Sequence, residues 1–241
     1  MFDMIAFDAD DTLWHNEKNY HEAKKQFAQI LSKYQDTEYA RRRLEEFEVH
    51  NIDIYGYGIK MFTLSMVESA IDLSDGKIKA REIQKIIDIS KEMLTNEVEL
   101  FEHAVETLAI LAPRFDLMLI TKGDHFEQER KIVRSAISGY FRDIEIVTEK
   151  SQEHYQALMA KYNIHPNRFL MVGNSLRSDI QPVIAIGGRA VYIPNEYTWF
   201  HENLPKEEVD PTAYVELEHI AQLPNLIDQL MKDESTSIMQ P

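Results

Sequence analysis

Three carboxylates fall within four residues at Asp8, Asp10 and Asp11, directly after the apolar run Met4-Ile5-Ala6-Phe7. A buried strand does not tolerate unpaired charge, so these acids belong where the strand ends and solvent or a cation begins. Residue chemistry admits three readings. Asp is common in solvated turns at strand ends. Asp8 and Asp10 also match the first and third ligands of a calcium loop, but Asn19 stands where its bidentate Glu belongs and Leu13 where its Gly belongs. The third reading is a magnesium site with a carboxylate nucleophile, in which one acid attacks and its neighbour handles protons. The first and third remain open on this stretch alone.

Further polar groups follow apolar runs later in the chain. Thr121-Lys122-Gly123 follows Phe115 to Ile120, Thr148-Glu149-Lys150 follows Ile144 to Val147, and Gly173-Asn174-Ser175 follows Arg168 to Val172, with Asp179 five residues past Asn174. The runs read as strands, joined by Ala190 to Ile193 and Ala213 to Val215. Between them lie helical patterns: Ala104 to Leu111 stopped by Pro113, about His125 to Ile137, one marked by Tyr155, Leu158, Met159 and Tyr162, and one starting near Ser178 with Pro182 in its first turn. A closing helix is expected from about Glu218 to Met231, with the polar last ten residues frayed. Strands alternating with helices predict an α/β fold with a Rossmann-like, doubly wound parallel sheet.

The span from His15 to Leu100 shows no strand signal. Ala23, Phe27, Ile30, Leu31 and Tyr34 fall on one helical face, and Arg41 to His50, Met61 to Leu73 and Ile83 to Leu94 read as further helices. The expected organisation is a catalytic core of residues 1–14 and 101–241 with an all-helical cap of residues 15–100. Only Tyr55-Gly56-Tyr57-Gly58 breaks the helical run. That loop is either an ordinary helix–helix turn or a segment facing the site and contacting a leaving group.

In an open parallel sheet, ligands bind at the carboxyl edge of the strands, so the polar strand ends should converge. Two acids and an amide with another acid can hold one hard cation through oxygen. A hydroxyl with adjacent backbone N–H groups and a lysine can hold an anion. Cation, anion grip and nucleophile together describe phosphoryl transfer.

The ordered set DADDT, ITKG, Lys150 and GNSLRSD resembles the four motifs of the haloacid dehalogenase-like superfamily, most of whose members are phosphatases. The match is spread over residues 1–14 and 100–190, while the cap resembles the family's helical insertion in placement and character. The resemblance implies that Asp8 attacks phosphorus to give an aspartyl-phosphate, while Asp10 protonates the leaving oxygen and later accepts a proton from water. It implies that Thr121 and the amides near Lys122 and Gly123 grip phosphoryl oxygens and that Lys150 balances charge. Asp10 favours phosphate ester cleavage, since family members that displace halide from carbon lack an acid there. Mg²⁺ is expected on Asp8, the Asp10 carbonyl and Asn174, with Asp179 compensating directly or, as the favoured reading, through water. The family usually has Asp where this chain has Asn174, which brings no charge to the cation.

The bulk composition agrees with a small-molecule enzyme. A net charge of -15 repels polyanions, which argues against nucleic acid and anionic membranes as partners. Without cysteine there is neither a disulfide framework nor a thiol nucleophile, and the histidines show no zinc spacing. With no basic leader and no membrane-length apolar run, a cytoplasmic monomer or homodimer acting on a small phosphate ester is expected. Rival readings are a phosphomutase on the same core, a phospho-accepting receiver module and a weakly catalytic binding protein. Asp11, Asp124 and Ser175 read as turn or cap residues, and Arg177 as a rim charge. Trp14 reads either as a screen keeping water from the site or as packing under the cap, and Tyr197, Trp199 and Phe200 as core or dimer contacts.

Overall fold

The computed structural model describes residues 2–199, 202 and 204–238. Its centre is a parallel sheet of six strands: β1 (Met4–Phe7), β2 (Leu117–Lys122), β3 (Asp143–Val147), β4 (Phe169–Gly173), β5 (Arg189–Tyr192) and β6 (Val215–Glu216). The order β3-β2-β1-β4-β5-β6 reverses direction beside β1, so β1 and β4 flank the crevice where a doubly wound sheet binds ligands. Phe7 pairs with Leu119 on one side and Val172 on the other, which brings Asp8, Lys122 and Asn174 to one edge.

Alternate residues of β1 serve opposite faces, as the pleat requires. Ile5 and Phe7 join Leu117, Leu119, Leu170 and Val172 in one buried cluster, covered by α5 (Ala104–Leu111), α6 (His125–Ser135) and α9 (Leu223–Ile238). Met4 and Ala6 join Met118, Ile120 and Met171 in another, against α7 (Gln152–Tyr162). With both faces covered, the central strands are continuously apolar, which is why they stood out in the sequence.

Residues between β1 and α5 form α1 (Glu17–Leu31), α2 (Thr37–Tyr55), α3 (Ile59–Leu73) and α4 (Ala80–Thr95). They bury their own cluster around Phe27, Leu44, Phe62, Met66 and Ile86. Gly56 and Gly58 adopt positive φ between α2 and α3, and a Cβ on Gly58 would lie 2.7 Å from Glu127 Oε2. The loop therefore turns tightly against the N-terminal end of α6.

Several boundaries differ from expectation. β2 begins at Leu117 and runs through Lys122, because the ladder with β3 continues to the Lys122–Val147 pair. The helix expected near Ser178 starts earlier, as one π-helical turn (Leu176–Ile180) capped by Ser175 Oγ accepting from Ser178 N at 3.0 Å. The short helix α8 (Gln181–Ala185) follows and carries Pro182 in its first turn. β6 has only two residues, and α9 continues past Met231 to Ile238, so the tail expected to fray stays helical that far. Among the described residues no helix is long and apolar enough to cross a membrane.

Candidate active site

The apolar run of β1 ends at Asp8, whose N–H still donates to Val172 O at 2.9 Å and so fixes the carboxylate at the β1–β4 crevice. Lys150, beyond β3, donates from Nζ to Asp8 Oδ1 at 2.5 Å and to Asp179 Oδ1 at 2.7 Å. All three side chains are buried, so one ammonium balances two carboxylates. Burial pushes the Asp8 carboxyl up to about 7, with Asp179 adding to the rise and Lys150 opposing it. Burial alone would depress Lys150, but Asp179 and Asp8 outweigh it and hold the ammonium well above its ordinary value.

The π-helical turn aims Asp179 at this lysine. Its Oδ2 accepts from Ser175 N at 3.0 Å, and a Cβ on Gly173 would overlap its carboxylate. Both Asp179 oxygens are thus engaged, one by Lys150 and one by the backbone. Asn174, on the same loop, points toward Asp8. Its terminal amide atom lies 3.2 Å from both Asp8 Oδ2 and the Asp10 carbonyl oxygen.

That last arrangement tests whether a cation fits. With its nitrogen inward, the amide donates to both oxygens; with its oxygen inward, Asn174 joins Asp8 and Asp10 as a third oxygen donor. Among the described residues, no group of three or more Asp, Glu, His or Cys side chains could hold a metal ion. A cation here would therefore rest on one carboxylate, one carbonyl and one amide, completed by water. That donor set suits a hard ion such as Mg²⁺, and the unequal count of buried carboxylates and ammonium groups favours it.

Asp10 leans away from Asp8 toward α6. Trp14 Nε1 donates to its Oδ1 at 2.6 Å, Gln128 Nε2 to its Oδ2 at 2.9 Å, and Lys131 Nζ to both at 2.7 and 2.8 Å. Trp14 is buried as expected and also orients this carboxylate. Asp11 sits at φ 62° and its carboxylate accepts from Asn16 N and Glu17 N, capping α1. Burial pushes Asp11 up to about 7 against those two bonds.

The anion-gripping residues are placed less simply. Thr121 is fully buried behind Gln128, whose Nε2 donates to its Oγ1 at 2.6 Å, so Thr121 does not line the cleft. The Gly123 N–H donates to Val147 O at 3.1 Å, because the β2–β3 ladder runs two residues beyond Ile120, where the strand was expected to end. Its amide is thereby engaged rather than offered to a ligand. Lys122 does reach the cleft, where it donates to Ser178 Oγ at 3.2 Å, pairs with Glu202 and lies 4.5 Å from the centre of the Tyr57 ring. Burial works to raise Glu202, yet Lys122 and the Ser178 and Ser175 hydroxyls prevail and hold it down to about 2.

The cleft is a cavity of about 150 Å³ between the sheet edge and the helical unit. Asp8, Asp10, Lys150, Asn174 and Asp179 line its sheet side. The helices contribute Glu17, Tyr20, Lys24, Glu48, Tyr57 and Phe62. The Tyr57 loop therefore faces the site, and Trp199 lines it too; Tyr197 lies 5.6 Å from His21 of α1, ring centre to ring centre, and Phe200 lies outside the described residues. Sequence reasoning did not single out Gln128, Lys131, Glu17, Glu48 or Glu202. Gln128 and Lys131 share a face of α6 by their spacing of three, a signal visible in the sequence but common to any helix.

A family model described as haloacid dehalogenase-like hydrolase matches residues 2–187. A haloacid dehalogenase-like family hydrolase from Xanthomonas campestris is 38% identical, with 99% of this chain and 95% of that chain covered and a TM-score of 0.85. A predicted phosphoglycolate phosphatase from Haemophilus somnus (17% identity, 94% and 98% coverage, TM-score 0.65) shares the fold. So does a 2-haloacid dehalogenase from Pseudomonas syringae pv. Tomato (19%, 95% and 100%, 0.61). No curated protein matches the chain. With its six-stranded parallel sheet, its motifs at successive strand ends and a family match over most of its length, the chain belongs to the haloacid dehalogenase-like hydrolases.

Proposed function

We propose that this hydrolase is a magnesium-dependent phosphatase of small phosphorylated metabolites. The observation that carries the reading is Asp8 at 2.5 Å from Lys150, with a second carboxylate, Asp10, two residues on in the same cleft. Asp8 attacks phosphorus, the phosphorus–oxygen ester bond breaks, and the leaving oxygen takes a proton from Asp10. Water then attacks the aspartyl-phosphate at phosphorus, gives its proton to Asp10, and inorganic phosphate departs. Splitting hydrolysis this way replaces one difficult displacement with two easier ones. Lys150 and Lys122 balance the phosphoryl charge, while Thr121, buried behind Gln128, accepts from the amide that also donates to Asp10. Mg²⁺, when held by Asp8, the Asp10 carbonyl and Asn174, neutralises charge on the nucleophile and on the phosphoryl oxygens.

One observation favours a second reading, displacement of halide from carbon by Asp8. Lys131 contacts both Asp10 oxygens, so its ammonium stands where a leaving oxygen would have to meet Asp10. A single assay separates the two: phosphate esters including p-nitrophenyl phosphate, and 2-chloropropionate, each with Mg²⁺ or with chelator, using wild type and Asp8→Asn. Phosphate release that needs both Mg²⁺ and Asp8 is expected. Release that persists in chelator or in Asp8→Asn removes the phosphatase mechanism, and chloride release without phosphate release establishes the alternative.

A further inference from the structure

The helical wall of the cleft carries a feature that phosphoryl chemistry does not use. Glu48 of α2 is 3% exposed, and its Oε2 accepts from Lys24 Nζ at 3.0 Å and from Trp199 Nε1 at 3.2 Å. Its other oxygen, Oε1, is buried with no hydrogen-bond partner, yet the residue lines the cleft. A buried carboxylate oxygen left unsatisfied keeps its full desolvation penalty, which a donor reaching it from the cleft would relieve.

The surroundings say which donor. Nine carboxyl side chains line the cleft (Asp8, Asp10, Asp11, Glu17, Glu48, Asp124, Glu127, Asp179 and Glu202) against four lysines, Lys24, Lys122, Lys131 and Lys150. Among the described residues, the one lysine lining the helical side is Lys24, ion-paired with Glu48. That wall can therefore accept a positive charge. Tyr57 and Trp199, with ring centres 6.0 Å apart, add aromatic surface that also favours a cation. The cavity of about 150 Å³ is of the order that holds one benzene, which suits a small molecule.

We infer that the cleft takes the phosphate monoester of a small amino alcohol without a second anionic group, its ammonium donating to Glu48 Oε1 while its phosphate lies at Asp8. The inference rests on the phosphatase reading. Burial raises the Glu48 carboxyl above its ordinary range against the pull of Lys24, so an arriving second cation favours its charged form.

The test compares O-phosphoethanolamine with 2-hydroxyethyl phosphate, which replaces the amine by a hydroxyl, and with O-phosphoserine, which adds a carboxylate. Wild type should prefer phosphoethanolamine in kcat/KM by about tenfold or more over each, the worth of one charge-assisted hydrogen bond. In Glu48→Gln that preference over the hydroxyl ester should fall several-fold toward parity. Ethanolamine should also inhibit wild-type p-nitrophenyl phosphate hydrolysis competitively and better than ethylene glycol, a measurement that stands if the variant does not fold. Equal use of the amine and hydroxyl esters, equal inhibition by the two alcohols, or a preference unchanged in a folded Glu48→Gln overturns the inference. If p-nitrophenyl phosphate is hydrolysed with Mg²⁺ while all three esters are refused, this inference fails and the phosphatase reading survives. If nothing is hydrolysed, both fail.

Discussion

Asp10 is the residue on which the reaction class turns, and its partners decide what it can do. Trp14 and Gln128 fix its rotamer, while Lys131 spans both carboxylate oxygens and also donates to Asn16 Oδ1 at 2.9 Å. In a phosphatase the lysine must hold Asp10 over the leaving oxygen and yield when the proton moves, which makes Lys131 a positioning residue. Replacing it with Met removes charge-assisted bonds worth about 1.5–3 kcal/mol, so kcat on alkyl phosphates should fall roughly 10–100-fold. p-Nitrophenyl phosphate, whose leaving group departs without a proton, should lose much less. Equal losses on both classes would assign Lys131 to general stability instead, and a melting curve of the variant separates these outcomes.

At the scale of elements, the site depends on a turn that departs from regular helix. The π-helical turn after β4 packs the Asp179 carboxylate over Gly173, and from there it anchors Lys150 against Asp8. Gly173 is thus required for closeness rather than for an unusual φ. Gly173→Ala should displace Asp179, cost about 1–3 kcal/mol as overpacking does, and lower turnover because Lys150 loses its anchor. Unchanged turnover in a variant of lowered melting temperature would show that the anchor is structural only. How much of this could be read from sequence follows from where each signal lies. Strand ends were legible because a doubly covered parallel strand is uniformly apolar and stops abruptly at Asp8, Lys122 or Asn174. The ladder's two extra residues were not, since whether Gly123 N–H meets Val147 or a ligand depends on register between strands. Asp179 was legible as a neighbour of the metal position, but its tie to Lys150 needed the turn geometry. Glu48 and Trp199 were invisible as a pair, because 151 residues separate two side chains that meet only once the helical unit folds over the sheet edge.

The molecule as a whole buries an unusual amount of carboxylate for a chain already at a net charge of -15, and that has a consequence for its stability. Glu17 lies where α1 crosses the cleft, and burial, reinforced by Asp11, pushes its carboxyl up to about 8 despite Lys24. The unfolded chain releases this proton near pH 4.5, whereas the native state keeps it to about 8. Between those values the native state binds more protons, so stability is complete below the lower value and is lost as pH rises through the upper one. The full span would be worth at most about 5 kcal/mol. Partial exposure on the cleft reduces that to the order of 1–2 kcal/mol, or several degrees in melting temperature for a chain of this size. Glu17→Gln removes the group that must ionise. Its melting temperature should match wild type near pH 5 and exceed it by about 3–6 °C at pH 9. A difference that stays constant between the two pH values would mean that Glu17 titrates alike in both states and that the cleft does not hold its proton.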